Sequence, residues 1–251
     1  MYPSDREAKE LILEIGRKMS DTSFVTANDG NISIRCGVNE VWITPTGVNK
    51  GELKDEMLIK MRISDSTILE GTWKPTSETE MHLNAYRTDN EIVSTVHAHP
   101  LHCSILACAG LELDLPTTLS AVCICGRIPV IPYCCSGTKE LAECIIPYVK
   151  KYHVVNLANH GPMAWGKSPR EAWYRLENAE ASARLALALV SLGRLRPISG
   201  DQITEALAFH KVDMTPEGTV QRTYSTANLE PAIPFSEYMR QVFGQDWHSA
   251  K

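Results

Sequence analysis

Ile92-Val93-Ser94-Thr95-Val96-His97-Ala98-His99-Pro100 begins with a β-branched, apolar run that is typical of a buried strand, and it ends with two histidines. On a strand, residues i and i+2 project from the same face, so the spacing predicts that His97 and His99 point at one spot. His160 stands beside a glycine after a second short apolar run, residues 154–158. A third imidazole is therefore expected at a neighbouring strand end.

Three imidazoles that leave one coordination position open are the ligand set of a catalytic Zn²⁺. The alternative is that these histidines are ordinary surface or core residues, since a His-x-His pair also occurs by chance. His97, His99 and His160 together favour the metal site over that alternative.

Composition limits the classes of protein to consider. The chain has 251 residues, a length that fits one large α/β domain or two small ones. Its net charge is −5 and no Lys/Arg cluster is present, which argues against a nucleic-acid or anionic-membrane partner. The first five residues lack the layout of a signal peptide, and no apolar run approaches the ~20 residues of a membrane span. The eight cysteines lack CxxC spacing. A cytoplasmic protein is expected.

Residues 74–87 contain a predicted helix start that also offers binding groups. Ser77 and Glu80 have the spacing of a capping box, which predicts a helix over about 78–87. The free backbone N–H groups at the start of this helix, together with the hydroxyls of Thr76 and Ser77, are expected to form a phosphate-binding site. Glu78 falls in the first helical turn, where its carboxylate either complements the helix dipole or takes part in chemistry.

Other segments set the organisation of the chain. The turn Thr44-Pro45-Thr46-Gly47 is rich in hydroxyls and free N–H groups and can hold an anion. Ser168-Pro169-Arg170-Glu171 starts a long apolar helix. The order of predicted helices and strands along the chain predicts a domain over residues 1–211. Residues 212–251 are expected to form a C-terminal arm that packs on the domain or on a neighbouring subunit.

Five motifs, in this order and spacing, resemble the class II aldolase/adducin family over roughly residues 7–203. They are Gly30-Asn31-Ile32-Ser33, Thr44-Pro45-Thr46-Gly47, Thr76-Ser77-Glu78 with His82, His97-Ala98-His99 and Asn159-His160-Gly161. The resemblance implies an α/β fold, a three-layer α/β/α sandwich around a mixed, largely antiparallel sheet. It also implies a homotetramer with active sites at subunit contacts.

The resemblance also implies roles for individual residues. One Zn²⁺ per subunit would be bound by His97, His99 and His160. Glu78 would be both a carboxylate near the metal and the base that transfers a proton. Phosphate of a sugar-phosphate substrate would be held by Asn31, Thr46, Gly47, Thr76 and Ser77.

The implied activity is that of an aldehyde-lyase. A ketose 1-phosphate such as L-fuculose 1-phosphate would be cleaved reversibly into dihydroxyacetone phosphate and an aldehyde, through an enediolate whose charge the metal stabilises. In the family's fuculose-cleaving members a tyrosine from a neighbouring subunit protonates the aldehyde oxygen. Thr118 stands at the matching place here, so either a tyrosine of the C-terminal arm such as Tyr224 or Tyr238 donates the proton, or the aldehyde partner differs.

Three alternatives remain at the level of sequence. Ribulose-5-phosphate 4-epimerases of the same scaffold carry Asp where Glu78 stands, so the glutamate favours an aldolase. Decarboxylases or dehydratases of sugar-acid phosphates use the same metal ligands. A non-enzymatic adducin-like binding module is expected to lack the metal histidines, and all three are present.

Overall fold

A mixed eight-stranded sheet forms the centre of the protein, and helices cover both of its faces. The computed structural model describes residues 2–192, 197–220 and 233–244. The strands are β1 (Asn31–Gly37), β2 (Glu40–Ile43), β3 (Ile59–Arg62), β4 (Ile68–Glu70), β5 (Ser94–His97), β6 (Leu111–Glu112), β7 (Val130–Ile131), β8 (Val154–Leu157), β9 (Gly161–Gly166) and β10 (Ile233–Pro234). The helices are α1 (Asp5–Asp21), α2 (Thr79–Thr88), α3 (Leu101–Ala109), α4 (Lys139–Cys144), α5 (Pro169–Leu192), α6 (Gly200–Phe209) and α7 (Phe235–Phe243).

The strand order of the sheet is β4-β3-β2-β1-β5-β9-β8-β7. Neighbouring strands are antiparallel throughout except for the parallel pair β7–β8. Outside this sheet, β6 and β10 form a short parallel pair. The architecture confirms the predicted α/β/α sandwich with a mixed, largely antiparallel sheet.

Each face of the sheet has its own apolar core, because side chains alternate along the strands. Ile32 and Ile34 of β1 point into one core together with α1, α3 and α5. The other core contains α2 and α4, with Met81 of α2 and Leu141 of α4 fully or almost fully buried. Among the described residues, none of the helices has both the length and the apolar character needed to span a bilayer.

A capping box forms at the start of α1, whereas the one predicted at the start of α2 does not form. At α1, the Ser4 hydroxyl accepts from the Glu7 N–H, and the Glu7 carboxylate accepts from the Ser4 N–H at 2.8 Å. At α2 the prediction is wrong: the helix begins at Thr79, and Glu78 itself occupies the N-cap position without capping the helix through its side chain. The reason is that the Glu80 carboxylate accepts from Ser66 and Arg87 instead of from Ser77, while the Glu78 carboxylate is held by side chains outside the helix.

The order of strands brings the predicted site residues to one end of the sheet. Strand β5 lies between β1 and β9, and its last residue, His97, pairs with Asn31 of β1 and with Met163 of β9. His160 immediately precedes β9, so it stands at the same end. The pairing therefore gathers the motif residues from three segments that are distant in sequence.

Parts of the C-terminal region lie on the domain. Phe235 of α7 is fully buried, and Ser236 donates to the Asp114 carboxylate from its N–H at 3.2 Å and from its hydroxyl at 2.8 Å. The Arg127 N–H donates to the carbonyl of Gly218 at 2.8 Å. Tyr224, one of the candidate proton donors, is outside the described residues.

Candidate metal centre

The structure brings the three histidines of the sequence motifs together. His97 ends β5, His99 follows in the loop that leads into α3, and His160 stands in the turn before β9. The Nε2 atom of His97 is 3.1 Å from Nε2 of His99 and 3.3 Å from Nε2 of His160. One ligand atom from each of the three lies within 4.8 Å of the others.

The protonation of these rings suits a metal ligand. His97 Nδ1 is 2.9 Å from the carbonyl oxygen of Pro162, and His99 Nδ1 is 3.3 Å from a carboxylate oxygen of Asp29. These acceptors require the hydrogen on Nδ1, so both Nε2 atoms present lone pairs to each other. Burial lowers the pKa of His97 and that of His160, which keeps both rings uncharged at neutral pH. Lone pairs at this distance repel unless a cation lies among them, so the residues fit a divalent metal, with Zn²⁺ well suited to three imidazoles.

Asp29→Ala should weaken binding of Zn²⁺ by about 10- to 100-fold, because the carboxylate orients His99 through Nδ1 and raises the basicity of Nε2. A competition titration against a chelating dye measures the dissociation constant. Asp55→Ala is the matched control, since Asp55 is an exposed partner of Lys9. An unchanged dissociation constant in Asp29→Ala would show that His99 needs no such support.

The Glu78 carboxylate faces two of the three histidines. Its Oε2 is 3.4 Å from His97 Nε2, and its Oε1 is 3.2 Å from His160 Nε2. The carboxylate is 5% exposed. It accepts hydrogen bonds from Asn31 Nδ2 at 2.8 Å and from the hydroxyl of Ser136 at 3.1 Å. A nearly dry carboxylate held in this way is suited to receive and return a proton beside a bound metal.

A cavity of about 270 Å³ opens in front of Glu78. It is lined by all five residues that the family resemblance implies for phosphate: Asn31, Thr46, Gly47, Thr76 and Ser77. Gly47 has a φ of 75°, and a Cβ there would meet no atom within 4 Å. Asn31 already has internal partners for its whole amide, since Nδ2 donates to Glu78 and Thr76 and Oδ1 lies 2.5 Å from His82 Nε2.

Residues 10–187 match the family model described as Class II Aldolase and Adducin N-terminal domain. The chain belongs to this family. Its relatives include enzymes that carry the aldolase name, which confirms the resemblance drawn from the motifs.

Two named enzymes and one solved structure illustrate the range of this family. The chain is 32% identical over 210 residues to 3-oxo-tetronate 4-phosphate decarboxylase of Pectobacterium atrosepticum, covering 80% of this chain and 93% of the relative. It is 32% identical over 179 residues to L-fuculose phosphate aldolase of Methanocaldococcus jannaschii, covering 71% and 95%. The crystal structure of YgbL from Klebsiella pneumoniae, for which an aldolase, epimerase or decarboxylase activity has been suggested, is 28% identical with a TM-score of 0.76, covering 81% and 99%.

Residues of this family member that motif reasoning missed also line the cavity. Lys50 is the one Lys or Arg among the described lining residues, and it is 1% exposed. Its ammonium donates to the carbonyl of Asn28 at 2.8 Å and to that of Val48 at 2.5 Å. Ser136, which donates to Glu78, lies in a turn before α4. Neither has a signal in the sequence beyond its place near a glycine-containing turn.

The side chains considered as proton donors do not line this cavity in the described chain. Thr118 is exposed, and its hydroxyl accepts from the Ala121 N–H at 3.1 Å. Tyr238 lies on α7, where its ring is 5.9 Å from that of Phe235. A role for Tyr238 at the site of a neighbouring subunit stays a prediction.

Proposed function

We propose that the protein is a zinc-dependent aldehyde-lyase that cleaves a ketose 1-phosphate, such as L-fuculose 1-phosphate, reversibly into dihydroxyacetone phosphate and an aldehyde. The observation that carries the proposal is the position of Glu78, whose two oxygens lie 3.2 and 3.4 Å from the Nε2 atoms of His160 and His97. The proposed base, the three imidazoles and the cavity proposed for phosphate thus lie next to one another. This combination is what cleavage next to a carbonyl requires.

In the proposed reaction each group has a separate task. Zn²⁺ on His97, His99 and His160 would act as a Lewis acid that lowers the energy of the negative charge left after bond cleavage. When the C3–C4 bond breaks, the C4 hydroxyl gives up its proton to a group from the neighbouring subunit, and Glu78 donates a proton to C3 of the enediolate. In synthesis Glu78 removes the C3 proton, and the C4 oxygen is protonated. Ser136 holds the Glu78 carboxylate at 3.1 Å in the orientation for this transfer.

Substrate phosphate is proposed to bind in the cavity of about 270 Å³. The Thr46 and Ser77 hydroxyls and the open Gly47 turn offer hydrogen bonds there. Asn31 is the exception among the implied phosphate ligands, since its contacts assign it to Glu78 and Thr76.

Lys50→Met should raise KM for a sugar phosphate by about 10- to 100-fold, the loss expected for a charged hydrogen-bonding group. Lys50 would supply the positive charge that phosphate needs. Burial lowers the pKa of Lys50 to about 8, so the ammonium loses its charge as the pH rises through that value. The wild-type KM should therefore rise above pH 8, whereas the KM of Lys50→Met should be flat with pH.

Steady-state kinetics between pH 6.5 and 9.5 measure this, with kcat and metal content followed in parallel. Lys50→Arg keeps the charge and is the matched control, with a KM that stays low above pH 8. If Lys50→Met binds substrate as well as wild type does, the charge of Lys50 has no part in phosphate binding.

Proton transfer at the oxygen of the aldehyde half is proposed to depend on a neighbouring subunit of a homotetramer, which takes up the proton in cleavage and donates it in synthesis. Among the described residues that line the cavity there is no tyrosine. Tyr238 on α7 is the described candidate that a neighbour would supply, and Tyr224 is a second candidate.

A decarboxylase acting on a 3-oxo sugar-acid phosphate is the second candidate function. One observation favours it: the relative with that name matches 80% of this chain, compared with 71% for the archaeal aldolase. Loss of CO₂ from a 3-oxo acid also leaves negative charge beside a carbonyl, and it needs no donor to an aldehyde oxygen.

One panel assay separates the two functions. Zinc-loaded and chelator-stripped protein are incubated with L-fuculose 1-phosphate, other ketose 1-phosphates and 3-oxo-tetronate 4-phosphates, and release of triose phosphate or CO₂ is followed. Zinc-dependent release of dihydroxyacetone phosphate and an aldehyde from a ketose 1-phosphate, without CO₂, supports the aldolase. Release of CO₂ together with dihydroxyacetone phosphate from a 3-oxo-tetronate 4-phosphate, with no cleavage of the ketose 1-phosphates, replaces it with the decarboxylase.

A further inference from the structure

A chain of buried side chains leads from the candidate metal centre into the core of the domain. Asn31 Nδ2 donates to Glu78 Oε2 at 2.8 Å, and Asn31 Oδ1 lies 2.5 Å from Nε2 of His82. On its other side, His82 Nδ1 lies 2.8 Å from the hydroxyl of Ser33 and contacts the hydroxyl of Thr95. His82 is fully buried, and the other four side chains are buried as well.

The positions of the hydrogens in this chain follow from the carboxylate end. A carboxylate only accepts hydrogen bonds, so the atom that Asn31 presents to Glu78 must be its amide nitrogen. The amide oxygen then faces His82, and this oxygen also only accepts. His82 must therefore carry its hydrogen on Nε2 and accept at Nδ1.

The hydroxyl groups on the core side of His82 are consistent with a hydrogen on Nε2 and none on Nδ1. Tyr86 donates its hydroxyl hydrogen to the carbonyl of Ser33 at 2.9 Å. The Ser33 and Thr95 hydroxyls are 2.7 Å apart and both lie beside His82 Nδ1, so one hydroxyl donates to Nδ1 and the other donates to its hydroxyl neighbour. Burial lowers the pKa of His82 to about 4, so the ring is neutral at pH 7, as a single-hydrogen tautomer requires.

We propose that His82 is a positioning residue for catalysis: its Nε2 hydrogen fixes the Asn31 amide in the orientation that donates to Glu78. If the amide were turned over, its oxygen would face the carboxylate, and repulsion would turn Glu78 away from His97 and His160. The inference rests on the proposed function, in which Glu78 carries the proton.

Two substitutions of His82 separate positioning from general packing. Glutamine places an amide N–H near the position of Nε2 and still donates to Asn31, whereas asparagine reaches only the position of Nδ1. His82→Asn should lower kcat by about 10- to 100-fold with a smaller change in KM and unchanged zinc content, and His82→Gln should retain most of kcat. Equal losses in both variants would overturn the proposal.

A double variant tests whether His82 acts through Asn31. The losses of activity caused by Asn31→Ala and His82→Asn should not multiply. The double variant should lose no more activity than Asn31→Ala alone. Independent, multiplying losses would show that His82 acts by another route.

Imidazole ¹⁵N NMR of the wild-type protein tests the proposal without any variant having to be active. The resonances of His82, assigned by their absence in His82→Gln, should show a protonated Nε2 and a bare Nδ1 from pH 5.5 to 8. A hydrogen on Nδ1, or titration within that range, would overturn the inference. The spectrum needs no substrate, so an inactive wild-type protein with the expected tautomer would count against the proposed function alone.

Discussion

Glu78→Gln should lower kcat for cleavage by about 10²- to 10⁴-fold while the protein still binds zinc. The amide keeps the size of the carboxylate. Its oxygen can accept from Asn31, and its NH₂ group can donate to the Ser136 hydroxyl, which also accepts, so the surrounding structure is preserved. What is lost is the ability to take up and return a proton. The rate of triose-phosphate release at saturating substrate, or of CO₂ release for the alternative reaction, is the measurement.

Glu80→Gln is the control for this substitution. Glu80 lies two residues further along α2 and bonds to Arg87 at 2.8 Å, away from the histidines. The Glu80→Gln variant should keep wild-type turnover. Full activity in Glu78→Gln would remove Glu78 from the role of base, whichever substrate is cleaved.

Removal of the metal should cost about 10³-fold or more in rate, because a Lewis acid contributes several kcal/mol to stabilisation of the transition state. The same loss is expected for His160→Gln, which removes one of the three ligand nitrogens. Metal content by plasma spectrometry and activity after dialysis against a chelator measure the two effects.

Addition of Zn²⁺ should restore the stripped wild-type protein but not His160→Gln at the same concentration. His210→Gln is the matched control, because His210 is exposed at the end of α6 and far in sequence from the motifs. Retention of full activity after complete removal of metal would rule out a metal-dependent lyase.

The local parts of this fold follow from sequence because their stabilising contacts are local. The Ser4–Glu7 capping box spans one helical turn, and α3 ends at Gly110 with a φ of 67°. Ser168 accepts from the Glu171 N–H at 3.2 Å at the start of α5. Each contact joins residues at most four positions apart, within reach of pattern reasoning.

The i, i+2 rule for strands explains only in part why His97 and His99 lie close together. Strand β5 ends at His97, so His99 is not its i+2 neighbour on a strand. The chain instead turns towards α3, which begins at Leu101, and the two Nε2 atoms still come within 3.1 Å. The end of a strand depends on partner strands, which a single segment does not show.

Helix α4 shows the same limit. The sequence alone predicts that the helix beginning near Gly137 continues to about Tyr152 with a kink at Pro147. In the structure the helix ends at Cys144 and is followed by turns. A proline lacks the N–H that would continue the helical hydrogen bonds. The roles of Lys50 and His82 are harder still to predict from sequence, because they depend on contacts with residues 22 and 51 positions away.

The strand order that gathers the histidines also bears on how the chain folds. The contacts of His97 with Pro162 and His160 span 65 and 63 residues, so long loops must close before the imidazoles become neighbours. Partly folded chains therefore lack the assembled set of three imidazoles, and a divalent ion would bind only the finished sheet. Binding of the ion would accordingly slow unfolding and leave the rate of folding almost unchanged.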